Sequence, residues 1–213
     1  MPFPYKKMDE NDFAYIRSVT DPRRVWTGEA IAREYYHDEM PEYGVFPPEL
    51  YVEVLNREEV SAIMKYACEN NIPVVARGAD LAGGANCKYG GIMLSLMKMN
   101  KIFPVDAQNM TVTVQPGALI SEVAAAAAEV GSPDPGEKTA SIGGSIITNA
   151  GGMRAVRYGV TPRRHSGGNE GRLRRPGGMR RGCAPCRDRR VRQSCQADLF
   201  VSRRRGRTLR PRG

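Results

Sequence analysis

The spacing of apolar residues changes twice along the chain and divides it into three stretches. In the first, residues 1–46, Asp9 to Arg17 and Glu29 to Tyr36 carry helical spacing, broken by Asp21-Pro22 and Met40-Pro41. Phe46-Pro47-Pro48 closes this segment. From residue 47 the pattern is that of a mixed α and β chain. Tyr51 to Leu55 alternates apolar and polar side chains, as a half-buried strand does. Asn56 stands as a helix N-cap with Glu59 three residues on, the spacing of a capping box. Val60, Ile63, Met64 and Ala67 follow at helical intervals, which predicts a helix over 57–69. Strands are predicted at Val74 to Ala76, Gly91 to Leu96, Lys101 to Val105 and Met110 to Gln115. Pro116-Gly117 precedes a helix from Ala118 to Val130, where a run of alanines gives high propensity. Turn formers fill 131–136, and a glycine-rich stretch follows from Ile142 to Gly152. After Thr161 periodicity stops, so the third stretch, 162–213, is expected to be disordered.

Of the 213 residues, 41% are apolar, sufficient for a buried core. No apolar run reaches the roughly 18 residues of a membrane helix, and no basic-then-apolar leader opens the chain. Five cysteines in this length argue against a disulfide scaffold and make the cytoplasm the expected compartment. The net charge of +9 is an average over unlike parts. Residues 1–161 hold 15 Lys/Arg against 20 Asp/Glu, whereas 162–213 hold 17 Arg, no Lys and 3 Asp/Glu. The basic character therefore belongs to the tail alone.

Two segments can bring bare backbone close to a ligand. Arg77-Gly78-Ala79-Asp80-Leu81-Ala82-Gly83-Gly84 directly follows a predicted strand, where converging N–H groups would suit a phosphate or pyrophosphate; a tight turn is the plainer alternative. The second segment runs from Thr139 through Ser141, Gly143-Gly144 and Asn149 to Gly151-Gly152. Its paired glycines would let a flat aromatic ligand lie on main chain, with short polar groups at its edge. Neither is a GxGxxG turn with an acidic residue about twenty positions on, so a Rossmann site is not supported.

With these residues in view, Val52 to Thr161 resembles the first half of the FAD-binding domain of FAD-linked oxidases and dehydrogenases, the type of glycolate oxidase, D-lactate dehydrogenase and D-2-hydroxyglutarate dehydrogenase. The matching stretches are Ile72-Pro73-Val74 into Arg77-Gly78, Gly91 to Ile102, Val112 to Gly117, Pro133 to Lys138 and, most specifically, Asn149 to Thr161. The resemblance implies an α+β fold, a PCMH or vanillyl-alcohol-oxidase-type FAD-binding domain, here truncated. It implies FAD as cofactor, with Arg77, Gly78, Gly83 and Gly84 on the pyrophosphate and Ser141, Gly143, Gly144, Asn149, Gly151 and Gly152 along the flavin. The parent activity would be oxidation of a 2-hydroxy acid such as lactate or glycolate, with electrons passing to a quinone, a cytochrome or an electron-transferring flavoprotein. Substrate residues of the family lie mostly in a later region, so no catalytic residue is named. One departure stands out. The family's first loop carries a Gly-Thr pair between Gly78 and Leu81, and this chain is two residues shorter there, with Asp80 placing a carboxylate where a diphosphate would sit.

The family's continuation after Tyr-Gly-Val-Thr is absent from 162–213. Shifted by one nucleotide, codons for Pro162-Arg163-Arg164-His165-Ser166 can encode Arg-Asp-Asp-Ile-Arg, and those for Asp188 to Arg192 can encode Thr-Ala-Gly-Tyr-Asp, both family-like. The expectation is a tail read out of frame. A nucleic-acid-binding tail is the alternative, set against by the missing Lys and by the single aromatic, Phe200. A zinc site from His165, Cys183, Cys186 and Cys195 has no common spacing, and no metal is expected. A half-domain completed by a partner chain is the third possibility.

Overall fold

The computed structural model describes residues 5–40, 42, 44–80, 85–109, 111–128, 139–151, 165–167 and 199–202. Asp9 caps the first helix, α1 (Glu10–Val19), accepting hydrogen bonds from the Asn11 and Asp12 amides, and the Asp12 carboxylate accepts from the Asp9 amide in return. Glu29 to Tyr36, expected as one helix, instead forms two single 3-10 turns, Gly28–Ala30 and Arg33–Tyr35. Gly28 has a φ of +55°, and the chain at Ile31 and Ala32 is extended, so no continuous helix can propagate. Between α1 and these turns lies a short strand that periodicity did not reveal, β1 (Val25–Thr27).

Three of the predicted strands join β1 in one four-stranded sheet. β1 pairs antiparallel with β2 (Leu50–Glu53), which pairs parallel with β4 (Ile92–Ser95), which pairs parallel with β3 (Val74–Arg77). The helix between β2 and β3, α2 (Arg57–Glu69), is capped by Asn56, whose side chain accepts from the Glu59 amide at 2.8 Å. The Glu59 carboxylate accepts from the Leu55 amide and binds both terminal nitrogens of Arg24, at 2.8 and 3.0 Å. Glu59 thus also ties Arg24, the residue before β1, to α2.

Period-2 alternation sorts this sheet into two faces. Leu50, Val52, Ile92, Leu94, Val74 and Ala76 pack with Ile16 of α1 and Val60, Ile63 and Ala67 of α2. Tyr51, Met93 and Val75 turn the other way, against Ile31, Trp26, Tyr35, Tyr36 and Cys87. β4 is buried on both faces, as the centre of a covered parallel sheet must be.

A second cluster surrounds β5 (Thr111–Val114), α3 (Ile120–Ala126) and α4 (Ile142–Ile147), joining Val112, Val114, Ala118, Ile120, Val123 and Ile142. Lys101 to Val105, expected as a strand, makes one bridge, Ile102 to Val114, with the Phe103 amide donating to the Thr113 carbonyl. Pro104 removes a donor from the next position, so the ladder does not extend. Two segments of the tail, β6 (His165–Gly167) and β7 (Leu199–Ser202), form strands, and β7 pairs antiparallel with both β5 and β6. The other tail residues, including Cys183, Cys186 and Cys195, lie outside the described ones. No helix among the described residues is long and apolar enough to cross a membrane.

Asp12 anchors the N-terminal helix. Its side chain is fully buried, takes a hydrogen bond from the Tyr66 hydroxyl at 2.8 Å, and pairs with Lys6 at 2.9 Å. Burial pushes its carboxyl up, but the Lys6 ammonium, the Asp9 amide and the Tyr66 hydroxyl together hold it below its ordinary value of 3.8. The stabilisation is therefore complete above that value and lost as pH falls through the lower folded-state value. Asp12→Asn is expected to cost about 2 kcal/mol at neutral pH, read by urea unfolding, with the gap to the parent closing on acidification.

Candidate functional site

The carboxyl ends of β3 and β4, and the turn after β5, converge on the start of α4. Gly117 follows β5 and lies so close to the Leu96 and Met97 carbonyls beyond β4 that a Cβ has no room; its amide donates to the Met99 carbonyl at 2.8 Å. Gly143, at the first turn of α4, sits on Pro116 and donates to its carbonyl at 2.8 Å. Gly78, immediately after β3, faces Ser141. A Cβ there would lie 2.5 Å from the Ser141 hydroxyl oxygen. In open α/β sheets, crevices beyond the carboxyl ends of strands are where ligands are seated.

Ser141 is buried and has a double role. Its hydroxyl oxygen caps α4 by accepting from the Gly144 amide at 3.2 Å, and the Ala79 amide points to the same oxygen at 3.5 Å. The two glycine segments singled out in the sequence are thus in contact through Gly78, Ser141 and Gly144. Residues 142–147 form a helix despite the two glycines, because Ser141 caps the start and the Ile142 and Ile146 side chains join the second core. Sequence periodicity carries no sign of this helix. Asn149 ends it with a φ of +55°, a left-handed conformation Asn tolerates, and both Asn149 and Gly151 are exposed. The amide of Gly143 is engaged by Pro116 and its position is fixed by packing. Gly83, Gly84 and Gly152 lie outside the described residues.

Arg77 lies on the face of β3 that carries Val75, under the 34–38 strap. Its guanidinium donates to the Glu34 carbonyl at 3.1 Å and the His37 carbonyl at 3.2 Å, stands 5.0 Å from the Tyr35 ring centre, and pairs with Asp80 at 2.6 Å. Tyr35 in turn stacks on Tyr51 at 4.2 Å. The segment Tyr36-His37-Asp38-Glu39 reads in sequence as a solvated helix end, yet Asp38 is buried, accepting from the Met40 amide at 2.9 Å and from Asn86 at 3.1 Å. No periodic signal marks it; the cue would have been an arginine on a covered strand face that needs acceptors. Cys87 is buried nearby, and burial pushes its thiol up to about 12, which makes it unreactive; Cys68 is half-buried on α2. No cluster able to hold a metal occurs among the described residues.

The profile of the family described as "FAD binding domain" matches residues 48–165, more than half of the chain. The chain belongs to this family of FAD-binding domains. It is 49% identical over 164 residues to a D-lactate dehydrogenase of Anaerostipes hadrus, covering 75% of this chain and 34% of that protein. With the glycolate oxidase subunit GlcD of Bacillus subtilis it shares 37% identity over 149 residues, 67% of this chain and 32% of the relative. The chain therefore spans about a third of the length of these curated relatives. Among solved structures, an alkyldihydroxyacetonephosphate synthase superposes with a TM-score of 0.65 at 17% identity, covering 78% of this chain and 34% of that one. A substrate-bound p-cresol methylhydroxylase gives 0.57 at 21% identity, covering 68% and 31%. The fold is of the PCMH type, as the sequence implied.

FAD fits the residues at this junction. The room a Cβ would take at Gly78 is held by the Ser141 hydroxyl, while the Ser145 hydroxyl on α4 is buried without a protein hydrogen-bond partner and is the group at this junction left for a ligand to satisfy. Gly78→Ala is expected to destabilise the fold by about 1–3 kcal/mol, since Ser141 is held by its cap and cannot retreat. In thermal unfolding, combining it with Ser141→Ala should cost less than the two single changes added together, the mark of a direct contact.

Proposed function

We propose that this chain seats FAD for an oxidoreductase acting on a small 2-hydroxy acid, with Gly78 and Arg77 at the pyrophosphate end and the Ser141–Gly152 segment along the flavin. The observation that carries the reading is the contact between Gly78 and Ser141, which joins the two segments into one border at the strand ends. When bound, FAD supplies the redox chemistry by accepting a hydride. The contribution of the protein residues is placement. Gly78 lets the end of β3 meet Ser141, Ser141 fixes the start of α4, and the exposed Gly151 keeps its position free of a side chain, with Gly152 assigned beside it along the flavin. On this reading Gly83 and Gly84 are assigned to the pyrophosphate as well. The substrate class is supported by the relatives named D-lactate dehydrogenase and glycolate oxidase. A quinone, a cytochrome or an electron-transferring flavoprotein is the acceptor class that suits such an oxidation, and the cytoplasm the compartment.

The division at residues 46 and 161 is part of this reading, as is the origin of 162–213 in a shifted reading frame. The lysine-free, arginine-rich composition beginning at Pro162 supports it. Titrating the protein with FAD should quench the flavin fluorescence to saturation; flavin that stays free would overturn the cofactor assignment to these residues. The nucleotide sequence beyond codon 161 should be open in the shifted frame, and early stops there would refute the frame proposal. The protein encoded by joining the frames should have its flavin bleached anaerobically by D-lactate or glycolate. Bound flavin that neither acid reduces would refute the substrate class.

A further inference from the structure

We propose that Asp80 stands on Arg77 in the place of an anionic ligand, so that the chain closes its own phosphate site with a carboxylate and this side chain sets the affinity for FAD; the proposal rests on the reading of Arg77 and Gly78 as the pyrophosphate end. The Arg77 guanidinium donates to the neutral Glu34 and His37 carbonyls, and among the described residues Asp80 is the one that brings it an opposite charge, as an ion pair. The side chains of Arg77 and Asp80 are 10% and 8% exposed, so solvent does little to screen the pair. An entering pyrophosphate meets a cation already neutralised, and a carboxylate that repels it until displaced.

The contact is also costly enough to be released. Only one carboxylate oxygen engages Arg77; the other, Oδ1, is buried with no protein hydrogen-bond partner. Asp80 reaches the guanidinium from a φ of +55°, a conformation that disfavours a side chain. A strong charge contact combined with an orphaned oxygen and a left-handed backbone is what a displaceable stand-in requires. Around it, Asp38 of the strap and the adjoining Glu39 add negative charge, while His37 and Arg77 oppose it. Burial raises the Asp80 carboxyl above its ordinary value, ahead of these charges, so acidification neutralises it sooner than a solvated aspartate.

The test is FAD titration of the full chain, followed by flavin fluorescence, for the parent, Asp80→Asn and Asp80→Gly. Both replacements accept a positive φ, and circular dichroism confirms folding of each. Removing the charge is expected to tighten FAD binding by about tenfold or more. The parent's affinity should rise as pH falls, closing the gap to Asp80→Asn. A rise that either folded variant fails to share assigns the titration to Asp80 rather than to Asp38 or Glu39 beside it, and an equal rise in all three proteins overturns the proposal. Equal affinities at all pH values would show that Asp80 does not compete, leaving the FAD reading intact. Weaker binding by the variants would show that Asp80 holds FAD itself, and would likewise overturn the proposal. Failure of all three proteins to bind FAD would remove the underlying reading and the proposal with it.

Discussion

Bare backbone at the strand ends is the constraint on which this structure turns. The sheet of β1–β4 and the layer containing α3 and α4 have separate apolar clusters, and they meet where Gly78 and Gly117 approach Ser141 and the Leu96–Met97 turn. A methyl group at either glycine would force the two layers apart. Ser141 makes the border specific as well as close, because its hydroxyl oxygen caps α4 while lying against Gly78. A larger residue would lose the fit, and an apolar one of the same size would lose the cap. Position and polarity at the junction are therefore set together.

The second dependency runs through Arg77. A guanidinium on a covered strand face must have acceptors, since leaving it unpaired would cost far more than the strand gains from burial. The strap at 34–38 supplies two carbonyls and the Tyr35 ring, and Tyr35 is itself held by stacking on Tyr51. This explains why the strap packs against the sheet, whereas α1 and β1 are held by Ile16 in the core and by pairing with β2. The strap's irregular backbone is useful: the short Arg33–Tyr35 turn and the chain just after it leave the Glu34 and His37 carbonyls for Arg77, which a continuous helix would have consumed internally.

Legibility in the sequence followed the strength of periodic signals. α2 was readable from Asn56 and the stripe at Val60, Ile63 and Ala67, β2 from the alternation over Tyr51 to Leu55, and β3 and β4 from short apolar runs between turn formers. α4 was not, because Gly143-Gly144 argues against a helix locally, and the Ser141 cap with burial of Ile142 and Ile146 outweighs that preference. β1 is three residues long, too short for alternation to register, and exists because β2 offers an edge. At the site, the two glycine segments were visible from composition, but their contact was not. It depends on a separation of more than sixty residues that only the sheet order closes. The burial of Asp38 was hidden for the same reason, since its partner Asn86 lies on a different loop.

The loop after β3 separates two properties that usually travel together. Its start, Arg77-Gly78, satisfies the steric demand of the fold: the glycine meets Ser141 and the strand keeps its register with β4. Three residues into the loop, the same chain sets a buried carboxylate on its own arginine. Steric fit at the junction is a short-range matter decided by a single methyl group. Electrostatic fit is set by the balance of a few buried charges, and one residue can reverse it without moving the backbone. Family membership guarantees the first, because without it the layers would not join. It does not guarantee the second, since Asp80 costs the fold only an orphaned oxygen and a left-handed turn, and Arg77 offsets part of that cost. A chain can therefore keep the shape of an FAD-binding domain while the charge at position 80 governs how readily the cofactor enters.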